Sequence, residues 1–148
     1  GNYGMEIEAK SINNAFRPKV SNITLTRAAG TVTEGGSSAN EFDAIQFKKE
    51  GNGEYTNVVI SGYTTSNTTL TATAVRIQDK STNDNQVTGG KIKMLNVKIN
   101  DGTSQFAGVG TTFTVAFPTG NYTTSSTATG ATLTAGAWAI VDGVSLIK

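Results

Sequence analysis

Three short stretches share one pattern, and it constrains the backbone more than any other feature of the chain. They are PKVSNITLT (18–26), GEYTNVVIS (53–61) and IKMLNVKIN (92–100), each of the form apolar–x–Asn–apolar–x–apolar. Asn is disfavoured within strands, whereas the residues around it here are good strand formers. In a straight strand successive side chains face opposite sides. Val20 and Asn22 would then share one face and Ile23 and Leu25 the other, so the apolar residues could not all reach one core. A bend at Asn resets the parity and turns Val20, Ile23 and Leu25 the same way. Asn is the non-glycine residue that best tolerates the left-handed conformation such a bend needs.

The Asn positions, 22, 57 and 96, recur after 35 and then 39 residues, and fixed-period similarity is the signature of repeats. A second motif precedes each: GMEIEAK (4–10), DAIQFKK (43–49) and TAVRIQD (73–79). Their period-two alternation predicts half-buried strands. The unit is therefore an alternating strand, a variable turn-rich loop, and the Asn-containing strand. The loops differ (SINNAFR, EGNG, KSTNDNQVTGG) while the strands keep their pattern. Stacked copies would set Asn22, Asn57 and Asn96 one above another about 4.8 Å apart, as an Asn ladder.

On these residues the chain resembles the right-handed parallel β-helix proteins, the pectate-lyase-like architecture. The texture of NEFDAIQFKKEGNGEYTNVVISGY looks like coils of the large secreted β-helix proteins of Bacteroidetes-type cell surfaces. The resemblance covers roughly residues 3–100. It implies an all-β solenoid with a secreted or cell-surface location. Residues 1–100 are thus expected to form β-helix repeats, and 101–148 a Thr/Gly-rich C-terminal cap containing strands. Thr112–Phe117 is read as one clear strand, and TTSSTATGATLTAG (123–136) as a linker or a Thr-rich edge strand. An antiparallel β-sandwich or jelly roll is the alternative if the Asn pattern is accidental.

Composition narrows the chemistry. The 148 residues contain no Cys and no His, which removes disulfides, thiolate metal sites and the imidazole base of ordinary nucleophile sites. A net charge of +1 gives little field to steer nucleic acid. No apolar run is long enough for a membrane span. The chain starts at Gly1 within a repeat-like segment, so a processed chain or a piece of a longer protein is expected. Three sequons, at Asn22, Asn67 and Asn121, are about what so much Asn and Thr would produce by chance.

Candidate chemistry is sparse. The outward positions Glu6, Gln46, Arg76 and Glu8, Lys48, Gln78 read as a solvated charged face with surface ion pairs. Asp79, Asn83, Asp84 and Asn85 crowd one loop, but their spacing matches no calcium-loop pattern and reads as a turn. No catalytic set, metal site or cofactor is expected. Tyr3, Tyr55, Tyr63, Tyr122 and Trp138 could stack on sugars if exposed, with Tyr55 at an inward position. The apolar tail, with Trp138, Ile140, Val141, Val144, Leu146 and Ile147, is expected to cap an end or pair with another chain. The expected function is therefore structural: a non-enzymatic subunit of a surface filament, sheath or adhesin that joins to itself or to other chains. The alternative is a glycan-binding or inactive lyase-like module of a longer secreted protein.

Overall fold

A computed structural model describes residues 4–13, 15–27, 43–63, 72–100, 104–108, 113–132, 140–141 and 144–145. Two four-stranded parallel sheets dominate it. The first takes β1 (Met5–Glu8), β3 (Ile45–Lys48), β5 (Thr73–Ile77) and β7 (Ser104–Gly108), in that order. The second takes β2 (Lys19–Thr26), β4 (Gly53–Ser61), β6 (Ile92–Ile99) and β8 (Tyr122–Thr124). The chain thus alternates between the sheets, adding one strand to each in turn. A two-stranded antiparallel hairpin, β9 (Ile140–Val141) with β10 (Val144–Ser145), stands apart from both.

The core follows from strand parity. Ile45, Phe47, Val75 and Ile77 bury from the first sheet, and Tyr55, Val58, Ile60, Ile92, Met94 and Val97 from the second. Phe47 and Tyr55 meet edge-on across the sheets with ring centroids 5.5 Å apart. Full burial of such side chains is worth about 1.5–3 kcal/mol each. In β4 the buried Tyr55, Val58 and Ile60 are spaced three and then two residues apart. Asn57 stands where the parity changes, with φ of 57°, and Asn22 and Asn96 have 59° and 54°. The ladder pairs resume on either side: Ser21 with Thr56 and Ile23 with Val58, then Thr56 with Leu95 and Val58 with Val97.

Several expectations are corrected. The chain is not an all-β right-handed parallel β-helix with a C-terminal cap. Besides its two parallel sheets it carries a helical segment, α1 (Lys80–Thr82) running into a π-helical turn at Asn83–Val87. Among the described residues no third sheet closes the circuit. The connectors between paired strands explain this. Residues 9–18, 49–52 and 78–91 differ too much in length to stack in register, and the last of them coils. The antiparallel sandwich is overturned too, because every pairing within both large sheets is parallel. Beyond residue 100, β7 and β8 add one strand to each sheet.

The strand expected at Thr112–Phe117 is, over its described residues, an extended segment outside the ladders. Its alternate residues Phe113, Val115 and Phe117 pack on the core. Phe117 lies against Tyr122 of β8, centroids 5.3 Å apart. The opposite end differs. β1 and β2 are the terminal strands of their sheets, and no described residue pairs with their outer edges. Val20 of β2 is 38 % exposed, against the expectation that it turns inward, and Phe16, in the segment leading into β2, is 79 % exposed.

Candidate functional site

The Asn row is the first place to look for function, because its side chains are exposed or half-buried rather than packed. Asn57 Nδ2 donates to Asn22 Oδ1 at 2.8 Å, which makes one rung of a ladder. The rest of the Asn57 amide is taken by another part of the chain. Its Oδ1 accepts from Thr129 N (2.9 Å) and Gly130 N (3.1 Å), while Nδ2 reaches Thr129 Oγ1 and Gly130 O. Ser125 N donates to Val97 O, and Ala131 N donates to Thr24 Oγ1. Residues 125–131 therefore form a strap that crosses the bends from β6 through β4 to β2. Gly130 is required there: its φ is +67°, and a Cβ would lie 2.2 Å from Thr24 Oγ1. At Asn96 the backbone N–H donates to Thr123 Oγ1 of β8. The strap was missed in the sequence, where 125–131 shows only Thr, Ser, Ala and Gly.

Of the apolar tail, Ile140, Val141 and Val144 lie in the β9–β10 hairpin, with Val141 opposite Val144. Trp138, Leu146 and Ile147 fall outside the described residues.

The loop read as an Asn/Asp turn is a clamp. Asp79 caps α1, accepting from Thr82 N at 2.8 Å, and its other oxygen accepts from Lys49 N at 2.9 Å. Glu50, with a left-handed φ of 68°, is buried against the helical segment. Ser81 Oγ, Asn85 Nδ2 and Gln86 Nε2 all donate to its carboxylate. Among the described residues no group of three or more acidic, His or Cys side chains could hold a metal. The oxygens of Asp79 and Glu50 are instead turned to protein donors.

Burial opposes charge on Glu50, but the donors from Ser81, Gln86 and Asn85 outweigh it and hold its pKa below the usual carboxylate value of 4.5. A carboxyl depressed in the folded state stabilises above its unfolded pKa and loses that contribution as pH falls through the folded one. Wild-type stability should therefore fall with acid from about pH 4.5 downward. In Glu50→Gln that part of the slope should vanish. Urea titrations at stepped pH check this, and equal slopes for both proteins would refute it.

The charged face is also corrected. Glu6, Gln46 and Arg76 do sit side by side in register. Glu6 and Glu8 are partly exposed and share Lys48 as an ion-pair partner. Gln46 and Arg76, however, are buried. Arg76 Nε and Nη2 each bond an oxygen of Asp43 at 2.9 Å, and Thr73 N and Oγ1 donate to the same carboxylate. A buried guanidinium needs such a fork, and the planar carboxylate supplies it. The partnership was invisible in the sequence because Asp43 opens one repeat and Arg76 belongs to the next.

One open cleft, of about 310 Å³, lies where β2, β4 and β6 begin. Arg17, Lys19, Lys91 and Lys93 line it, with Glu54 among them and Gly53 and Gly90 as bare backbone. Of the tyrosines proposed for sugar stacking, Tyr55 and Tyr63 are buried, and burial pushes the Tyr55 hydroxyl up to about 12. Tyr122 is half-buried against Phe117, while Tyr3 and Trp138 lie outside the described residues.

No helix among the described residues is long and apolar enough to cross a membrane. No family model, no curated protein and no solved structure matches the chain.

Proposed function

We propose that the chain is a non-enzymatic structural subunit of an extracellular or cell-surface assembly, joined by β-strand addition at the outer edges of β1 and β2. The asymmetry of the two ends supports this reading. At the β8 end Phe113, Val115 and Phe117 pack on the core, whereas β1 and β2 are terminal strands that no described residue pairs at their outer edges, with Val20 of β2 and Phe16 in the segment leading into it exposed. A strand edge presents a row of backbone donors and acceptors that templates pairing, and proteins normally blunt it. An incoming chain gains main-chain hydrogen bonds and a site for its apolar side chains. Because the two ends differ, joining copies end to end is heterologous and leaves the series open.

Size-exclusion chromatography with light scattering, followed by negative-stain microscopy, tests this. Wild type should form regular, concentration-dependent polymers. The surface variant Phe16→Ser/Val20→Lys should elute as monomer with an unchanged circular dichroism spectrum. A wild-type protein that stays monomeric at high concentration, or a variant that polymerises equally well, overturns the proposal.

A further inference from the structure

The cleft where β2, β4 and β6 begin gathers Arg17, Lys19, Lys91 and Lys93 around Glu54. Lys19 pairs in register with Glu54, and Glu54 with Lys93. The three side chains therefore form one row across the sheet, cation–anion–cation. Lys93 Nζ lies 3.7 Å from Glu54 Oε2, at the long limit of an ion pair. The two lysines are two strand spacings apart, about 9.6 Å. Arg17 and Lys91, each two residues upstream of one of these lysines, also line the cleft. Gly53 and Gly90 line the cleft between these cations. Gly53 cannot be larger: φ is +137°, and a Cβ would meet Pro18 O at 2.8 Å. On a chain of net charge +1, four cations around one carboxylate is a local concentration of positive charge.

We infer that this cleft binds an acidic oligosaccharide, one with anionic groups on alternate rings and uncharged, hydroxyl-bearing rings between them. The volume lies at the lower end of the range for small-ligand sites. Cations at both flanks take the anionic groups, carboxylate or sulfate. Glu54 at the centre rejects a third charge there but accepts hydrogen bonds from sugar hydroxyls. That central carboxylate separates this ligand from densely charged polyanions such as polyphosphate or nucleic acid, which would place charge against it. The site stands independently of strand addition, since a bound sugar lies over the sheet face and not along its edge.

The test uses the full chain in isothermal titration calorimetry at near-physiological salt. The probes are an oligosaccharide of alternating uronate and neutral rings, a sulfated oligosaccharide of the same charge spacing, a neutral oligosaccharide and polyphosphate. Binding of the uronate or the sulfated probe, at least tenfold tighter than the neutral sugar and polyphosphate, is expected, and the stronger of the two identifies the anion. Lys19→Gln/Lys93→Gln should lose at least tenfold in affinity, while Lys10→Gln, away from the cleft, should not. Glu54→Gln should relax the selectivity and raise polyphosphate affinity. Failure of both acidic sugars to bind overturns the inference, as does polyphosphate binding as tightly as they do or an undiminished affinity in the double lysine variant.

Discussion

Replacing Arg76 by Met is expected to destabilise the chain by about 3–5 kcal/mol, the cost of leaving one member of a buried pair uncompensated. Asp43 is fully buried, and without the guanidinium it keeps only the Thr73 donors. A domain of this size has a total stability of roughly 5–15 kcal/mol, so the loss is a large share of it. With a urea m-value of about 1–3 kcal/mol/M, the midpoint should fall by more than about 1 M. The double variant Asp43→Asn/Arg76→Met removes both charges and leaves Thr73 an acceptor. It should recover most of the loss, since swapping a buried pair for neutral groups is often near neutral. Equal midpoints for Arg76→Met and wild type would show that the pair does not carry that weight. A double variant no better than the single one would locate the cost in packing instead of charge.

The second large effect is expected at Asn57, and the three Asn positions should rank unequally. All three have positive φ, so Ala at any of them should cost about 1–2 kcal/mol in backbone strain. Gly removes that strain and leaves only the loss of side-chain bonds. Asn57 bonds to Asn22 and to the strap at both Thr129 and Gly130. At about 0.5–1.5 kcal/mol per bond, and with some sharing of one donor, Asn57→Gly should lose about 2–3 kcal/mol. Asn57→Ala should lose more than that. Asn22 and Asn96 are exposed, so Gly there should be nearly neutral. Equilibrium denaturation of the six variants gives the ranking. Hydrogen exchange should place the Asn57→Gly loss at residues 125–131, with faster exchange of the Gly130 and Ala131 amides. Equal Gly costs at all three positions would mean that the strap adds nothing.

Both expectations turn on residues whose positions in the sequence give unequal clues. The Asn bend was legible because it resolves a conflict within one segment. Tyr55, Val58 and Ile60 cannot face one core unless parity is reset between them, and Asn is the residue that permits it; in β2 the reset leaves Ile23 buried and Val20 exposed. The alternating strands before each bend were legible for the same local reason. What a cluster of Asn and Asp between two strands would do was not. QDKSTNDNQV coils because Asp79 caps it and because Glu50 receives three of its side chains, 31 to 36 residues further on. The open cleft was not legible either. Arg17 and Lys19 lie far along the chain from Lys91 and Lys93, and the two pairs become neighbours only through the register of three parallel strands.

Sequence alone determined the elements with local causes: where strands run, where each bends, and that the bends recur. It also removed thiol and imidazole chemistry outright, since no Cys or His is present. Tertiary structure decided everything that depends on which segments meet. The unequal connectors kept a third wall from stacking, so a closed β-helix gave way to two parallel sheets and a helical clamp. Gln46 and Arg76, outward by periodicity, are buried, and Arg76 found Asp43 across 33 residues. The strap took the donors and acceptors of Asn57 that a continuous ladder would have used. Periodicity reports which way a side chain leaves its own strand. What it meets there is set by chain segments that no local pattern encodes.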